Sequence, residues 1–316
     1  MYSLLNYSNK FKIILKSKIT IGTRGSKLAL WQAHFTKDNL EKLGIEVTLK
    51  IIKTKGDKIQ HLSFDKIEGK GFFTKEIEDA LLKREIDLAV HSMKDLPTTS
   101  PEGLVITAVS YRENPADWLV INKSQVDASK IYHLKDKAII GTSSARRKAL
   151  LLDIRPDIIL KDIRGNVPTR LRKLREGQFN GIILAAAGLT RLDLDLSDFE
   201  VIKLNTKEFV PAPAQGVLAY QTCKDDFETR KIVKQLHQPQ VSAVTNIERK
   251  VLNLLGGGCH MPLGVYCEQD QMGNYHVWAA KADTWDSSLK RVRLSSSTSF
   301  ELAEQVLSAL VDDSLA

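Results

Sequence analysis

The sequence predicts an α/β protein: two α/β units side by side, followed by a small α+β unit. Three features carry that expectation. Short runs rich in Ile and Val alternate with stretches of helical periodicity between residues 18 and 192. A Pro-rich segment, residues 209–216 (FVPAPAQG), then punctuates the chain. Beyond Gln240 the order changes to a helix, three strands in succession and a last helix. A length of 316 residues suits two or three domains at roughly 150 residues each.

Taken in order, ITIGTR (19–24) reads as a strand, and Ser26 caps a helix with Leu28, Trp31 and Phe35 on one face that ends near Gly44. Ile45, Val47, Leu49 and Ile51 alternate at strand spacing. Phe73, Ile77, Ala80 and Leu81 mark a second amphipathic helix, and IDLAV (86–90) a buried strand. Strands interleaved with helices argue for a parallel sheet. A second unit begins near Trp118, where AIIGT (138–142) leads into a polar helix start at Ser143 and Ser144. IILKDIRGN (158–166), a helix through Leu171 and Leu174, and GIILAAAGL (181–189) follow. VLAYQT (217–222) reads as a further strand and a candidate return to the first unit. In the last part, Ile247, Val251 and Leu254 share the face of a helix that stops at the glycines 256–258. The strands VYCEQ, YHVWAAK and RVRLSSS come next, then a helix with Phe300, Ala303, Leu307 and Leu310 on one face.

Composition excludes several classes. Hydrophobic content of 43% and charged content of 27% are globular values, so the chain is neither disordered, fibrous nor disulfide-stapled. No apolar run reaches the ~18 residues of a membrane-spanning helix. Lys and Arg total 46 against 38 acids, a net +8. Half of that excess is Lys10, Lys12, Lys16 and Lys18 in an acid-free leader, and the remainder does not by itself argue for nucleic acid. The leader lacks a continuous apolar core and a small-residue cleavage site, so it reads as a disordered extension, with an organellar address as the alternative. Cys223, Cys259 and Cys267 are odd in number with no CxxC spacing, which fits a reducing, cytoplasmic compartment and no cysteine-rich zinc site.

The chemistry gathers at predicted strand ends. Arg24, Arg146, Arg147, Arg164, Arg170 and Arg191 recur there with Lys66, Lys70 and Lys94. Planar guanidinium forks bind carboxylate or phosphate bidentately, so the set describes a polyanion cleft; singly, each suits a solvated helix face equally well. In GTSSARR the hydroxyls fall where a helix begins, adding backbone N–H groups to an anion site. HSMKDLP (91–97) delivers His91, Lys94 and Asp95 directly after a buried strand, a place for acid–base work or for stabilising a cation. His91 also reads as a satisfied structural histidine, and Asp95 as a turn residue ahead of Pro97. GGGCHMP (256–262) sets Cys259 in a glycine loop with room for a bulky adduct; the plainer reading is a small buried thiol. The residues alone lead to an α/β protein with a polyanion cleft, one candidate acid and one candidate thiol.

Eight separated motifs go further. IGTRGSKLALWQ, GKGFFTKE, DLAVHSMKDLP, IGTSSARRKALL, DIRGNVPTRLRKL, ILAAAGLTRL, PAPAQGVLAY and GGGCHMPLG stand in this order, and from Ile19 to Gly264 the chain closely resembles the porphobilinogen deaminases, also called hydroxymethylbilane synthases. The resemblance implies a transferase that joins four porphobilinogen molecules head to tail with loss of ammonia, in tetrapyrrole biosynthesis. It also implies a dipyrromethane cofactor held as a thioether on Cys259, and Asp95 as the catalytic carboxylate. Cofactor contacts map onto Lys94, Arg146, Arg147, Arg164, Arg170 and Ser144, and substrate contacts onto Arg24, Ser26, Arg191, Gln215, Phe73, Lys66 and Lys70. The implied fold is two periplasmic-binding-protein-like α/β domains around a cleft (18–114 with 210–238, and 115–209) plus a small C-terminal α+β domain (239–316) carrying the cofactor loop, behind a leader at 1–17. No metal, nucleotide, nucleic acid or membrane is implied, and a cytoplasmic monomer is expected. Glu68 stands where a glycine is frequent in the family and adds an acid between Lys66 and Lys70. A binding protein without turnover would lack a use for both Asp95 and Cys259. A nucleic-acid binder would interleave aromatics among the basic residues, where only Phe72 and Phe73 lie near.

Overall fold

The computed structural model describes residues 16–54, 74–258 and 261–312. Phe73, Lys66, Lys70 and Cys259 lie outside the described residues. In the first unit come β1 (Lys18–Thr23), α1 (Lys27–Glu41), β2 (Glu46–Ile51), α2 (Lys75–Leu82), β3 (Leu88–Ser92) and β4 (Leu104–Val109). The chain crosses over to β5 (Asp117–Asn122), β6 (Ile139–Gly141), α3 (Ala145–Ile154), β7 (Ile159–Lys161), α4 (Val167–Arg175), β8 (Gly181–Ala185), α5 (Ala186–Leu192) and β9 (Phe199–Lys203). It crosses back to β10 (Leu218–Cys223) and α6 (Phe227–Val233). A third part holds α7 (Pro239–Leu254), β11 (Leu263–Gln269), β12 (Tyr275–Lys281), β13 (Lys290–Ser296) and α8 (Leu302–Val311).

Both larger sheets follow one plan. The first has the order β2-β1-β3-β10-β4, the second β7-β6-β8-β5-β9. β1 runs parallel to β2 and β3, as β6 does to β7 and β8, whereas β10 and β5 are antiparallel to both of their neighbours. The parallel expectation therefore holds for the three strands joined by helical crossovers. β5 and β10 enter directly from the other unit, with no crossover helix to impose direction, and run the opposite way. The crossings, 110–116 and 204–217, touch backbone to backbone. Glu113 N–H donates to Gly216 O at 3.1 Å. Gly216 has φ +93°, and a Cβ there would lie 2.2 Å from the Glu113 carbonyl oxygen, so only glycine fits.

Each unit buries its own core. Ile19, Ile21, Leu88 and Val90 pack with Ala33 and Leu40 of α1, and Leu119, Ile121, Ile140 and Ile183 pack with Leu150 of α3. The three-stranded sheet β11-β12-β13 is covered by α7 and α8 through Val244, Ile247, Val251, Leu302 and Val306. Trp278 and Ala280 of β12 join the second unit's core, which fixes the third part to it.

Three helix faces differ from expectation. The deeply buried face of α1 is Gln32, Ala33, Thr36 and Leu40, while Leu28, Trp31 and Phe35 are half-buried. Trp31 stacks on Phe35 with centroids 5.4 Å apart, Phe35 meets Tyr111 edge-on, and Arg191 of α5 lies over Trp31 at 5.5 Å. Trp31 thus meets the other unit, while Phe35 packs against the edge of the first unit's core. Leu254 is 39% exposed and Phe300, ahead of α8, 72% exposed; the buried residues beside them are Leu252 and Leu302.

Candidate active site

The functional candidates lie at the carboxyl ends of the parallel strands, where open α/β sheets place ligands. β3 ends in a single 3-10 turn, Met93–Asp95. Met93 and Leu96 are buried in a small apolar cluster with Val109, Ala214, Val217 and Ala219. Anchored on both sides, the turn holds Asp95 outward, exposed, with Lys94 half-buried beside it. Met93 N–H donates to Val217 O at 2.9 Å, fixing the turn to the return crossing.

Across the cleft, Ser144 caps α3: its Oγ accepts from Arg147 N–H at 3.5 Å. Two and three residues on, Arg146 and Arg147 turn inward onto Asp117 at the start of β5. Arg146 Nη1 lies 2.8 Å from Asp117 Oδ2, and Arg147 Nη2 lies 2.7 Å from Oδ1. Arg146 also donates to Val210 O at 2.8 Å and Arg147 to Ile183 O at 3.0 Å. Burial alone would push the Asp117 carboxyl up, but the two guanidiniums outweigh it and hold Asp117 well below the usual carboxylate range. Nothing in the sequence marked Asp117, because an aspartate after ENPA reads as a loop residue.

Gln215 connects this cluster to Lys94. Fully buried, it donates through Nε2 to Pro115 O at 2.7 Å and to Asp117 Oδ1 at 3.0 Å, while its Oε1 accepts from Lys94 Nζ at 3.2 Å. Both ends of the Gln215 carboxamide are thus engaged by protein groups. Burial lowers the Lys94 ammonium pKa; Asp95 opposes that shift, and Arg147 adds to it. Arg170, on α4, is pushed down to about 10 by burial and by its neighbours Arg147 and Arg164. Its Nε donates to Gly165 O at 2.8 Å. Arg147 and Arg164 lie near enough to Arg170 to disfavour its charge, and such clustered guanidiniums favour polyanions.

Other candidates are placed differently. Arg24 follows β1 and lies close enough to His91 to disfavour its protonation, adding to burial, which pushes the imidazole down to about 4. Ser26 spends its hydroxyl on the cap of α1, accepting from Ala29 N–H at 3.3 Å. Arg191 is buried at the crossing, donating to Gly216 O at 2.7 Å, and sits apart from the Arg147–Arg164–Arg170 cluster.

The loop that carries Cys259 leaves α7 through Gly256, φ +64°, with Gly257 N–H returning to Leu252 O at 3.1 Å. Its flanks are tied together, since Met261 N–H donates to Gly258 O at 3.1 Å. Sequence reading missed two further residues on α7. Glu248, fully buried, accepts from Arg112 Nη1 at 2.7 Å and Nη2 at 3.2 Å, from Ala214 N–H at 2.6 Å and from Cys267 N–H at 2.8 Å. Arg249, also buried, reaches the Asp95 turn. The other cysteines are poor nucleophiles, because burial pushes Cys267 up to about 12 and raises Cys223 as well. No metal-binding cluster of His, Cys, Asp or Glu, and no helix long and apolar enough to cross a membrane, is found among the described residues.

A dipyrromethane bears acetate and propionate groups on both rings, and the clustered guanidiniums of Arg147, Arg164 and Arg170 are donors of the type that carboxylates need. The chemistry of the donor set therefore fits that group. A family model described as porphobilinogen deaminase, dipyromethane cofactor binding domain, matches residues 19–231. The porphobilinogen deaminase of a Nitratiruptor species is 48% identical over 248 residues, 78% of each chain. That of Desulforamulus reducens is 45% identical over 256 residues, 80% of this chain and 81% of that one. That of Chloroherpeton thalassium is 41% identical over 296 residues, 92% of each. Among solved structures, a probable amino-acid ABC transporter extracellular-binding protein from Bacillus subtilis covers 69% of this chain and 91% of its own, at 15% identity and a TM-score of 0.42. Matched to relatives of this identity across most of its length, the chain belongs to the porphobilinogen deaminase family.

Proposed function

We propose that this chain condenses four porphobilinogen molecules head to tail into the linear tetrapyrrole hydroxymethylbilane, with Asp95 as the catalytic carboxylate and Cys259 as the covalent anchor of a dipyrromethane. The observation that carries the residue roles is the exposed carboxylate of Asp95 beside Lys94, which Gln215 ties to the arginine cluster across the cleft. Porphobilinogen carries an acetate and a propionate, so the chain gains two carboxylates per addition and needs cationic partners throughout. Lys94, Arg146, Arg147, Arg164 and Arg170 would hold the cofactor's carboxylates, with Ser144 at the helix start. Arg24 and Arg191, together with Lys66, Lys70 and Phe73, serve the incoming substrate; Ser26 and Gln215 support that side through the cap of α1 and the bond to Lys94.

Loss of ammonia from the substrate's aminomethyl group leaves a positive charge that spreads onto the pyrrole nitrogen. Asp95 accepts a hydrogen bond from that N–H and stabilises the charge as it develops. The new carbon–carbon bond forms at the free α-carbon of the chain, whose proton then leaves, a transfer within reach of the same carboxylate. The dipyrromethane, when bound, supplies the primer on which the chain grows. Cys259 suits the anchor because the two described thiols are held protonated by burial. The working unit is a cytoplasmic monomer of three domains, 18–114 with 210–238, 115–209 and 239–316; Lys16, counted with the leader from sequence, pairs with Asp87 and Asp226 of the first.

Intact mass and peptide mapping test this reading. The purified protein should carry two linked pyrrole units on the Cys259 peptide, and Cys259→Ser should fold without them. An unmodified Cys259 peptide that gains no adduct and releases no ammonia on incubation with porphobilinogen would overturn it.

A further inference from the structure

Arg249 lies on α7, a helix of the third part, yet its guanidinium reaches across to the turn at the end of β3. Nη1 donates to Met93 O at 2.9 Å and Leu96 O at 3.2 Å, and Nη2 donates to Pro97 O at 2.6 Å. These carbonyls bracket Asp95 on both sides. Only 8% of Arg249 is exposed, so the bonds are shielded from competing water. The same helix turns, within two turns of Arg249, into the glycines that lead to Cys259. Its preceding residue, Glu248, is locked to Arg112, Ala214 and Cys267.

We infer that Arg249 is a positioning residue: it fixes the Asp95 turn to the helix that carries the cofactor loop, so that the distance between the carboxylate and the anchored end of the chain is set by one rigid element. The inference rests on the roles proposed above for Asp95 and Cys259. A planar fork suits the task because it spans several carbonyls at once, which a lysine's point charge does not. A turn released from this clamp keeps its apolar anchors, Met93 and Leu96, and so keeps its fold, but the carboxylate between them gains freedom. Misplacement of a reacting group by about 1 Å can cost on the order of a hundredfold in rate.

The test uses the full chain carrying its cofactor. Arg249→Leu should retain the Cys259 adduct by intact mass and a KM for porphobilinogen within about threefold, while kcat falls between about tenfold and a hundredfold. Arg249→Lys should fold even if the leucine variant does not, and should recover only part of kcat. In an Asp95→Asn background, Arg249→Leu should add little further loss, since the two changes act through one group. Unchanged kcat in either single variant, or a full additional loss in the double variant, would overturn the inference. Near-normal turnover by Asp95→Asn alone, or absence of the adduct from the parent protein, would instead bring down the underlying reading.

Discussion

A buried carboxylate is stable only when its partners repay the lost hydration, and Asp117 is repaid by two guanidiniums and a carboxamide. Removing its charge leaves Arg146 and Arg147 buried against each other. Asp117→Asn should therefore cost about 3–5 kcal/mol in denaturant unfolding. Its pH signature has a definite sign. A carboxyl depressed by folding gives its full stabilisation above its unfolded value and loses it as pH falls through the folded one. The parent should lose stability steeply below pH about 4, and the Asn variant less so. His91 also destabilises the fold on acidification, over a higher pH range. Buried and pushed down to about 4, it stays neutral in the fold while the unfolded chain takes up a proton near pH 6.5. Acidification between those values therefore favours unfolding, by up to roughly 3 kcal/mol. His91→Gln should flatten the decline in urea midpoint from pH 7 to 4.5; an unchanged slope would show that the imidazole is protonated in the fold. The sequence reading of His91 as a satisfied histidine was half right, since it is buried but its Nε2 has no hydrogen-bond partner.

Elements show why local signals were legible and long-range ones were not. Ser26 and Ser144 announce their helices because capping is settled within three residues. Glu248 and Arg249 sit mid-helix beside Lys250, a pattern that normally describes a solvated face. Their burial comes from partners more than 130 residues away in sequence for Arg112 and more than 150 for Met93. The stripe Leu28, Trp31 and Phe35 was read as one face with no partner named, because periodicity locates a face without saying what covers it. Glu248→Gln tests how far α7 acts as the junction. The amide would turn a donor toward Arg112, Ala214 or Cys267, each of which itself donates, so about 3–5 kcal/mol of stability should be lost. If α7 holds all three parts together, unfolding of the variant should also split into more than one transition; a single transition with a small shift would make Glu248 a local contact only.

At the scale of the whole molecule, the motifs place the basic residues at strand ends, yet they do not indicate how the cations are balanced. Strand spacing assigned VLAYQT to a strand but carried no information on its direction, which follows from the route of the crossing that delivers it. The same crossings bring Asp117 and Gln215 between residues of both units, so part of the positive charge is neutralised internally. Arg147, Arg164 and Arg170 still repel one another, and that repulsion is relieved when carboxylates enter. The fold should therefore depend on anions most when the cofactor is absent. Cys259→Ser protein, lacking the anchored dipyrromethane, should unfold at a lower denaturant midpoint than the loaded parent. Sulfate, a divalent oxyanion, should recover about 1–2 kcal/mol of the difference by binding the folded cluster, whereas chloride at equal ionic strength should recover less, since screening alone acts weakly on partly buried charges. Arg170→Leu should abolish most of the sulfate effect. Equal responses to the two salts, or a sulfate effect that survives Arg170→Leu, would place the anion dependence elsewhere on the protein.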